Sequence, residues 1–259
     1  MIDLSLFDLT LVYALILMAF ALVRLNGPGE ERGLLIASLR MVVQLLAVGY
    51  VLHLIFALDS AAPVLLVLLV MGGLAVHTVA GRVKVKMPKL YRVVAGAMLV
   101  GCGGTTLLFC TLVLGLDPWY DPRYLIPLAG MIIGNSMTGA SLAAERLADE
   151  IRSRRDEIET ALCLGATARQ ACRDAMKNAF NAALIPTVNA MATMGIVFLP
   201  GMMTGQILSG TEPMLAVKYQ IAIMCVITGS VALTSFLILL RGYRSFFTDR
   251  DQLRDAAEL

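Results

Sequence analysis

The chain has 259 residues, of which 58% are hydrophobic and 15% charged, with a mean hydropathy of +0.79. An ordinary soluble domain carries about 25% charged residues, so a single water-soluble core cannot absorb this much apolar sequence. A soluble enzyme, a secreted disulfide scaffold and a disordered tail protein are excluded, and a net charge of +2 offers no footprint for a nucleic-acid partner.

Apolar runs follow one another at about 8–26, 34–57, 62–80, 93–116, 124–145, 182–208 and 214–240. Each reaches the ~20 residues a helix needs to cross a bilayer, and a helix satisfies its own backbone hydrogen bonds there. The predicted fold is therefore all-α: a polytopic membrane bundle of about seven transmembrane helices. It is expected as one transmembrane domain over 1–259, with a cytoplasmic loop at 146–181 and a cytoplasmic tail at 241–259. No Lys or Arg precedes Arg24, so a cleavable signal peptide is not expected. Leu199-Pro200-Gly201 interrupts the sixth run, and part of that run reads as a broken or re-entrant element.

The placement of charge sets the orientation. Arg24 and Arg32 flank the first connection, and Arg82, Lys84, Lys86, Lys89 and Arg92 fill the third. Arg146, Arg152, Arg154, Arg155, Arg169, Arg173 and Lys177 lie in the fifth, and Arg241, Arg244, Arg250 and Arg254 in the tail. These are 18 of the 21 basic residues. The positive-inside rule then puts the N-terminus outside and the tail in the cytoplasm. Asp3, Asp8, Asp59, Asp117, Asp121 and Glu212 gather on the outer side against Arg123 and Lys218. That acidity is either a favourable exit for a cation or the plain consequence of keeping basic residues inside.

None of the 19 acidic residues falls near the middle of a span. Proton-driven carriers rely on such groups as relays, so that energy source is not expected. Arg40 and Gln44 share a helix face in the second span, where Arg40 either faces the bundle or snorkels to the interface. His53 and His77 read as packed or interfacial, the five cysteines form no CxxC pair, and the 15 methionines read as gap-filling thioethers. No metal ligands are assigned.

Small residues recur every fourth position at Gly130, Gly134 and Thr138, and again at Gly201, Gly205 and Ser209. Such stripes let helices approach closely. They read either as ordinary packing or as a moving seam around a translocation path. Between the two runs, Glu159 to Thr167 reads as a helix ending in a Gly165 turn, with Thr167 capping a second helix from Ala168. A short helix between basic arms suits docking into a groove of a soluble partner. No GxxxxGK[ST] phosphate loop occurs, so any ATPase must be a separate chain. Gly139-Ala140-Ser141 offers a serine to an intramembrane protease, but both histidines precede it. Lys218 lies at the outer edge of the seventh run rather than inside it, which disfavours a retinal-type receptor.

Several motifs in order carry a family resemblance. They are Arg40 with Gln44, Gly49-Tyr50, Ile126-Pro127, Gly130-Met131-Ile132, Gly134-Asn135, Leu164-Gly165-Ala166-Thr167, Ile185-Pro186-Thr187, Gly195-Ile196-Val197, Leu199 to Gly205 and Lys218-Tyr219-Gln220. In these the chain resembles the FetB-type iron-export ABC-transporter permease family, which includes plant aluminium-tolerance relatives. The resemblance implies a homodimeric, non-catalytic permease in the bacterial inner membrane, exporting iron or another metal ion. ATP and Mg would be bound by two copies of a cytoplasmic ATPase, with no cofactor in this chain. Plant relatives imply a nucleotide sugar as the alternative cargo. Glu159, Leu162, Leu164, Gly165, Ala166 and Thr167 would form the ATPase-coupling region, which is similar to the coupling loop of ABC importers. The expected translocation path comprises Arg40, Gln44, Gly134, Asn135, Asn189, Pro200, Gly201, Met202, Met203 and Gly205. Members often carry an acid and a lysine around the positions of Asn189 and Ala192, and both charges are absent here.

Overall fold

The computed structural model describes residues 5–26, 31–58, 60–82, 90–248 and 250–254. Asp3, Asp59, Lys84, Lys86 and Lys89, which entered the charge pattern, lie outside the described residues. The described chain is helical, with only isolated bridges and no named strand. It divides into two units, with the boundary between Ser60 and Ala61.

The first unit is a pair of helices, α1 (Leu6–Asn26) and α2 (Glu31–Phe56). Ser38 donates its proton to the Leu35 carbonyl at 2.9 Å, so Tyr13 is the donor in the 2.9 Å bond between the two hydroxyls. Both helices are apolar on nearly every side, and Leu15, Leu17, Leu45 and Leu46 are exposed. A helix that is hydrophobic all round belongs in lipid.

The second unit is built on two long helices, α6 (Pro122–Ser153) and α11 (Pro213–Gly242). Asp121 caps α6 by accepting from the Arg123 N–H at 2.9 Å, and Pro122 supplies a first-turn residue with no N–H to satisfy. At 1.5 Å per residue α6 is about 48 Å long, well beyond the ~30 Å of a hydrocarbon core. Its charged C-terminal turns therefore project past the membrane. Ala140, Ala143, Ala144 and Leu147 of α6 and Ile223, Ile227, Val231 and Ile238 of α11 form the buried centre. Around it pack α3 (Ala61–Arg82), α4 (Leu90–Met98), α5 (Gly104–Leu108) and α9 (Arg173–Thr193).

The fourth span, Leu90–Val113, is continuous but not uniformly α-helical. The π-helical segments Leu99–Gly103 and Phe109–Val113 flank α5. In the first of these, the Gly101 carbonyl accepts from Thr105 Oγ1 at 2.6 Å and from Ser230 Oγ at 3.2 Å. Ser136 then donates to Ser230 at 2.8 Å, which completes a buried hydroxyl chain from α6 through α11 to the fourth span. Each such interhelical bond contributes about 0.6 kcal/mol in a membrane.

Among the described residues six helices are long and apolar enough to cross a bilayer, and they coincide with all the expected runs except the sixth. That run is broken. The helix α9 ends at Thr193, and α10 occupies only Gly201–Leu208. Gly195 adopts φ +83° and donates its N–H to the Phe198 carbonyl at 2.9 Å, while Pro200 stands extended as the N-cap of α10. A left-handed glycine and a proline without an N–H prevent one helix from running through.

Candidate functional site

A cavity of about 240 Å³ opens where α6, α9, the break and α11 meet. Its polar lining comes from Asn135, Thr138, Thr187 and Gln220, and its apolar lining includes Met194 and Met224. Asn135 and Thr138 each bond back to their own helix, to the carbonyls of Met131 (2.8 Å) and Gly134 (3.2 Å). Gln220 is buried and donates from Nε2 to Met194 Sδ at 3.7 Å. Pro186 lies inside α9 on the cavity wall, where it supplies no N–H to the Ala182 carbonyl one turn earlier. The lining is therefore neutral: amides, hydroxyls and thioethers, with no carboxylate or ammonium. Among the described residues no group of three or more His, Cys, Asp or Glu is placed to hold a metal.

Of the residues expected along the path, Asn135 and Pro200 line this cavity. Gly134, Asn189, Gly201, Met202, Met203 and Gly205 do not line it. Arg40 and Gln44 are exposed on α2, in the other unit. Within the two small-residue stripes, Gly130 makes a close approach to another helix: a Cβ there would stand 3.2 Å from Met71 Cε of α3. A Cβ at Gly134, Gly201 or Gly205 would meet nothing within 4 Å. The closest approaches are elsewhere. A Cβ at Gly139 would stand 2.6 Å from Val231 Cγ1 and 3.4 Å from the Ala183 carbonyl oxygen, so α6, α9 and α11 converge there. At Gly101 it would collide with the Thr234 side chain. Thr187, Met194, Gln220 and Met224 were not singled out for the path, although Pro186-Thr187 and Gln220 stand within the motifs of the resemblance. Ser141, the serine of the protease reading, is buried with its hydroxyl lacking a hydrogen-bond partner.

Beyond the membrane end of α6 lies a second constellation. It comprises α7 (Arg155–Cys163), a tight turn and α8 (Ala168–Ala171), which leads past Cys172 into α9. Gly165 (φ +91°) donates to the Leu162 carbonyl and Ala166 to the Ala161 carbonyl, both at 3.0 Å. This is a Schellman closure, and it needs the left-handed residue that glycine supplies without strain. Thr167 then accepts from the Gln170 N–H at 3.3 Å, while the Gln170 side chain accepts from the Thr167 N–H at 2.9 Å, a complete capping box. Leu164 stands at the apex of the turn, 83% exposed, and Glu159 is half-exposed on α7. The six residues from Glu159 to Thr167 expected to act together are thus held in one helix–turn–helix. Cys172 beneath it is fully buried, and burial pushes its thiol up to about 11.

Charged pairs at the end of α6 and the start of α9 fasten this hairpin to the spans. Glu150, buried near the end of α6, pairs with Arg146 at 2.9 Å and accepts from Asn178 Nδ2 of α9 at 3.0 Å. A buried carboxylate persists only when paired and hydrogen-bonded in this way. Arg154, in the non-helical joint between α6 and α7, reaches Glu157 at 2.7 Å and Asp174 of α9 at 3.7 Å. Arg154 also has its guanidinium held further into the charged state by the Glu157 hydrogen bond. The signal available in sequence was only that these charges sit at helical spacing on the two arms of the loop.

Comparison with known proteins accords with this architecture. The profile of the UPF0014 family, described as an uncharacterised protein family, matches residues 6–247. The UPF0014 membrane protein slr1647 of Synechocystis is 40% identical over 98% of each chain. The probable iron export permease protein FetB of Escherichia coli is 34% identical over 95% of this chain and 93% of its own. Protein ALUMINUM SENSITIVE 3 of Arabidopsis thaliana is 35% identical over 83% of this chain and 77% of its own. No solved structure matches. With its apolar spans and a family match over nearly its whole length, the chain is an integral membrane protein of the UPF0014 family.

Proposed function

We propose that this protein is the permease subunit of an ABC transporter, exporting iron or another metal ion at the expense of ATP hydrolysed by a separate cytoplasmic ATPase. The observation that carries the reading is the α7–turn–α8 hairpin. It offers a single exposed leucine, Leu164, on a turn stiffened by a Schellman closure and a capping box. A knob of this kind suits a hydrophobic groove on a soluble partner. Its two arms run directly into α6 and α9, the helices that line the cavity. Movement of the hairpin on ATP binding would pass through the Arg154 and Glu150 pairs to those helices and alter access to the cavity. The break at 194–200 gives the wall a place to flex, because Gly195 and Pro200 interrupt its helical hydrogen bonding. The N-terminus is then outside and the tail cytoplasmic, with ATP and Mg held by the ATPase. Two copies of the chain would assemble, covering the exposed amides of Asn135 and Asn189, which lipid cannot solvate. The name of the Escherichia coli relative supports a metal cargo.

A second cargo reading is a non-metal solute such as a nucleotide sugar, whose sugar hydroxyls would be held by the amides and hydroxyls of the cavity, although its diphosphate would find no cationic partner in that lining. Co-purification with an ATPase followed by flux into proteoliposomes tests both. ATP-dependent movement of ferrous ion is the expected result, nucleotide-sugar movement would replace the cargo, and flux without ATP would overturn the division of labour. Leu164→Asp is expected to abolish ATPase association while leaving the permease folded. Retained association in that variant would remove α7 as the docking element.

A further inference from the structure

The described part of the tail after α11 is bonded to the same hairpin. It begins as the 3₁₀ turn Tyr243–Phe246, and Phe246 and Phe247 are both buried. Phe247 then pairs antiparallel with Leu253. Thr248 donates its N–H to the Gln252 carbonyl at 2.8 Å, Arg254 donates its N–H to the Phe246 carbonyl at 2.9 Å, and Arg254 Nε donates to the Phe247 carbonyl at 3.3 Å. The result is a small closed hook. From the first turn of α7, Arg155 Nη1 donates to the Arg254 carbonyl at 3.0 Å, while its Nε pairs with Glu159 Oε1 at 2.8 Å. One guanidinium thus joins the hook to the acid one turn along the docking helix.

We infer that Arg155 is a positioning residue, and that the C-terminal hook is a brace that fixes the direction in which α7 presents Leu164. The inference rests on the reading of α7 as the docking helix. It follows from how α7 is attached. This helix has nine residues, too few to be stable alone in water. It is jointed at both ends, by the non-helical Arg154 (φ −109°, ψ 26°) and by the left-handed Gly165. A short helix between two joints transmits a displacement only if something else sets its angle. Arg154 ties the near joint to α9, and Arg155 ties the helix itself to the hook. An arginine fork reaches a carboxylate and a carbonyl at once, whereas a lysine ammonium on a flexible stem does not hold both in a fixed plane.

Hydrogen exchange of the full-length protein in lipid nanodiscs tests the brace without any partner. Arg155→Ala should speed exchange at residues 158–165 by about five- to tenfold and leave α11 unchanged. The exchanged pair Arg155→Glu with Glu159→Arg restores the ion pair but not the bond to the Arg254 carbonyl, so exchange there should stay fast. Unchanged exchange in Arg155→Ala, or full protection in the exchanged pair, would overturn the brace. Functionally, Arg155→Lys should still co-purify with the ATPase but hydrolyse several-fold more ATP per ion moved. A wild-type ratio of ions to ATP would overturn the positioning role. Loss of the docking reading would show separately, as an unaltered Leu164→Asp variant.

Discussion

At the scale of single residues, the decisive positions are those where a backbone or a hydroxyl stands too close to a neighbour for any substitution. Gly139 is such a position, because its missing Cβ is the space that Val231 and the Ala183 carbonyl occupy. Gly139→Ala should destabilise the fold by about 1–3 kcal/mol through overpacking. Gly134→Ala, five residues away in the same helix, meets open space and should be neutral to slightly stabilising. Thermal unfolding in detergent, followed by size exclusion, compares the two. Equal losses would mean that α6 is not packed as described. The periodicity of small residues was visible in the sequence, but the sequence could not say which of them touches another helix. Gly130, Gly134 and Thr138 advertise a stripe, whereas the tightest contact of α6 lies on the adjacent face through Gly139, where Ala140 and Ala143 are also fully buried.

At the scale of elements, the α7–turn–α8 hairpin was legible in advance because its signals are local. A glycine that must be left-handed and a threonine three residues before a glutamine specify a helix stop and a helix start whatever surrounds them. Gly165→Ala places a side chain at φ +91° and should cost about 1–3 kcal/mol of local strain. Fraying of α7 into the turn should then appear as faster hydrogen exchange at residues 160–166, with reduced ATPase stimulation in the reconstituted complex. Undiminished protection would show that the Schellman closure does not hold the turn. The sixth crossing was only half legible. Pro200 and Gly201 marked an interruption, but the helix already ends at Thr193, because Gly195 turns left-handed and closes on Phe198. The π-helical turns of the fourth span had no local signature. In the first of them the Gly101 carbonyl is met by Ser230 of α11 as well as by the span's own Thr105, and the sequence of the span does not contain that distant hydroxyl.

For the whole molecule, orientation is the property that charge placement predicts and labelling can test. A variant whose only cysteine is Cys163, which is exposed, should react with a membrane-impermeant maleimide in inside-out vesicles and not in intact cells. Labelling of intact cells would invert the proposed topology. A variant retaining only Cys172 should stay unlabelled in both, because its thiol is buried and is pushed up to about 11. At pH 8 only roughly one such thiol in a thousand is a thiolate. Between the ordinary cysteine value near 9 and about 11, the unfolded chain has released a proton that the folded chain keeps. Stability should therefore fall as pH rises through that window, and Cys172→Ala should remove that part of the slope.

The apolar runs and the placement of charge determined by themselves that this is a helical membrane protein, where the first four spans lie to within a few residues, and where a helix–turn–helix interrupts the sequence of spans; the far end of the fifth and the course of the sixth were not fixed by them. The features so determined depend on transfer of each segment between water and lipid, and on backbone signals within a few positions, so the linear order of residues carries them. Only the tertiary structure decided which residues share the cavity. Asn135, Pro186, Pro200 and Gln220 come from three helices and a break, and they meet because Gly139 lets α6, α9 and α11 converge. It also decided that Arg155 reaches a carbonyl 99 positions away. A contact over that separation depends on how the long helices pack, and no local preference of the chain encodes it.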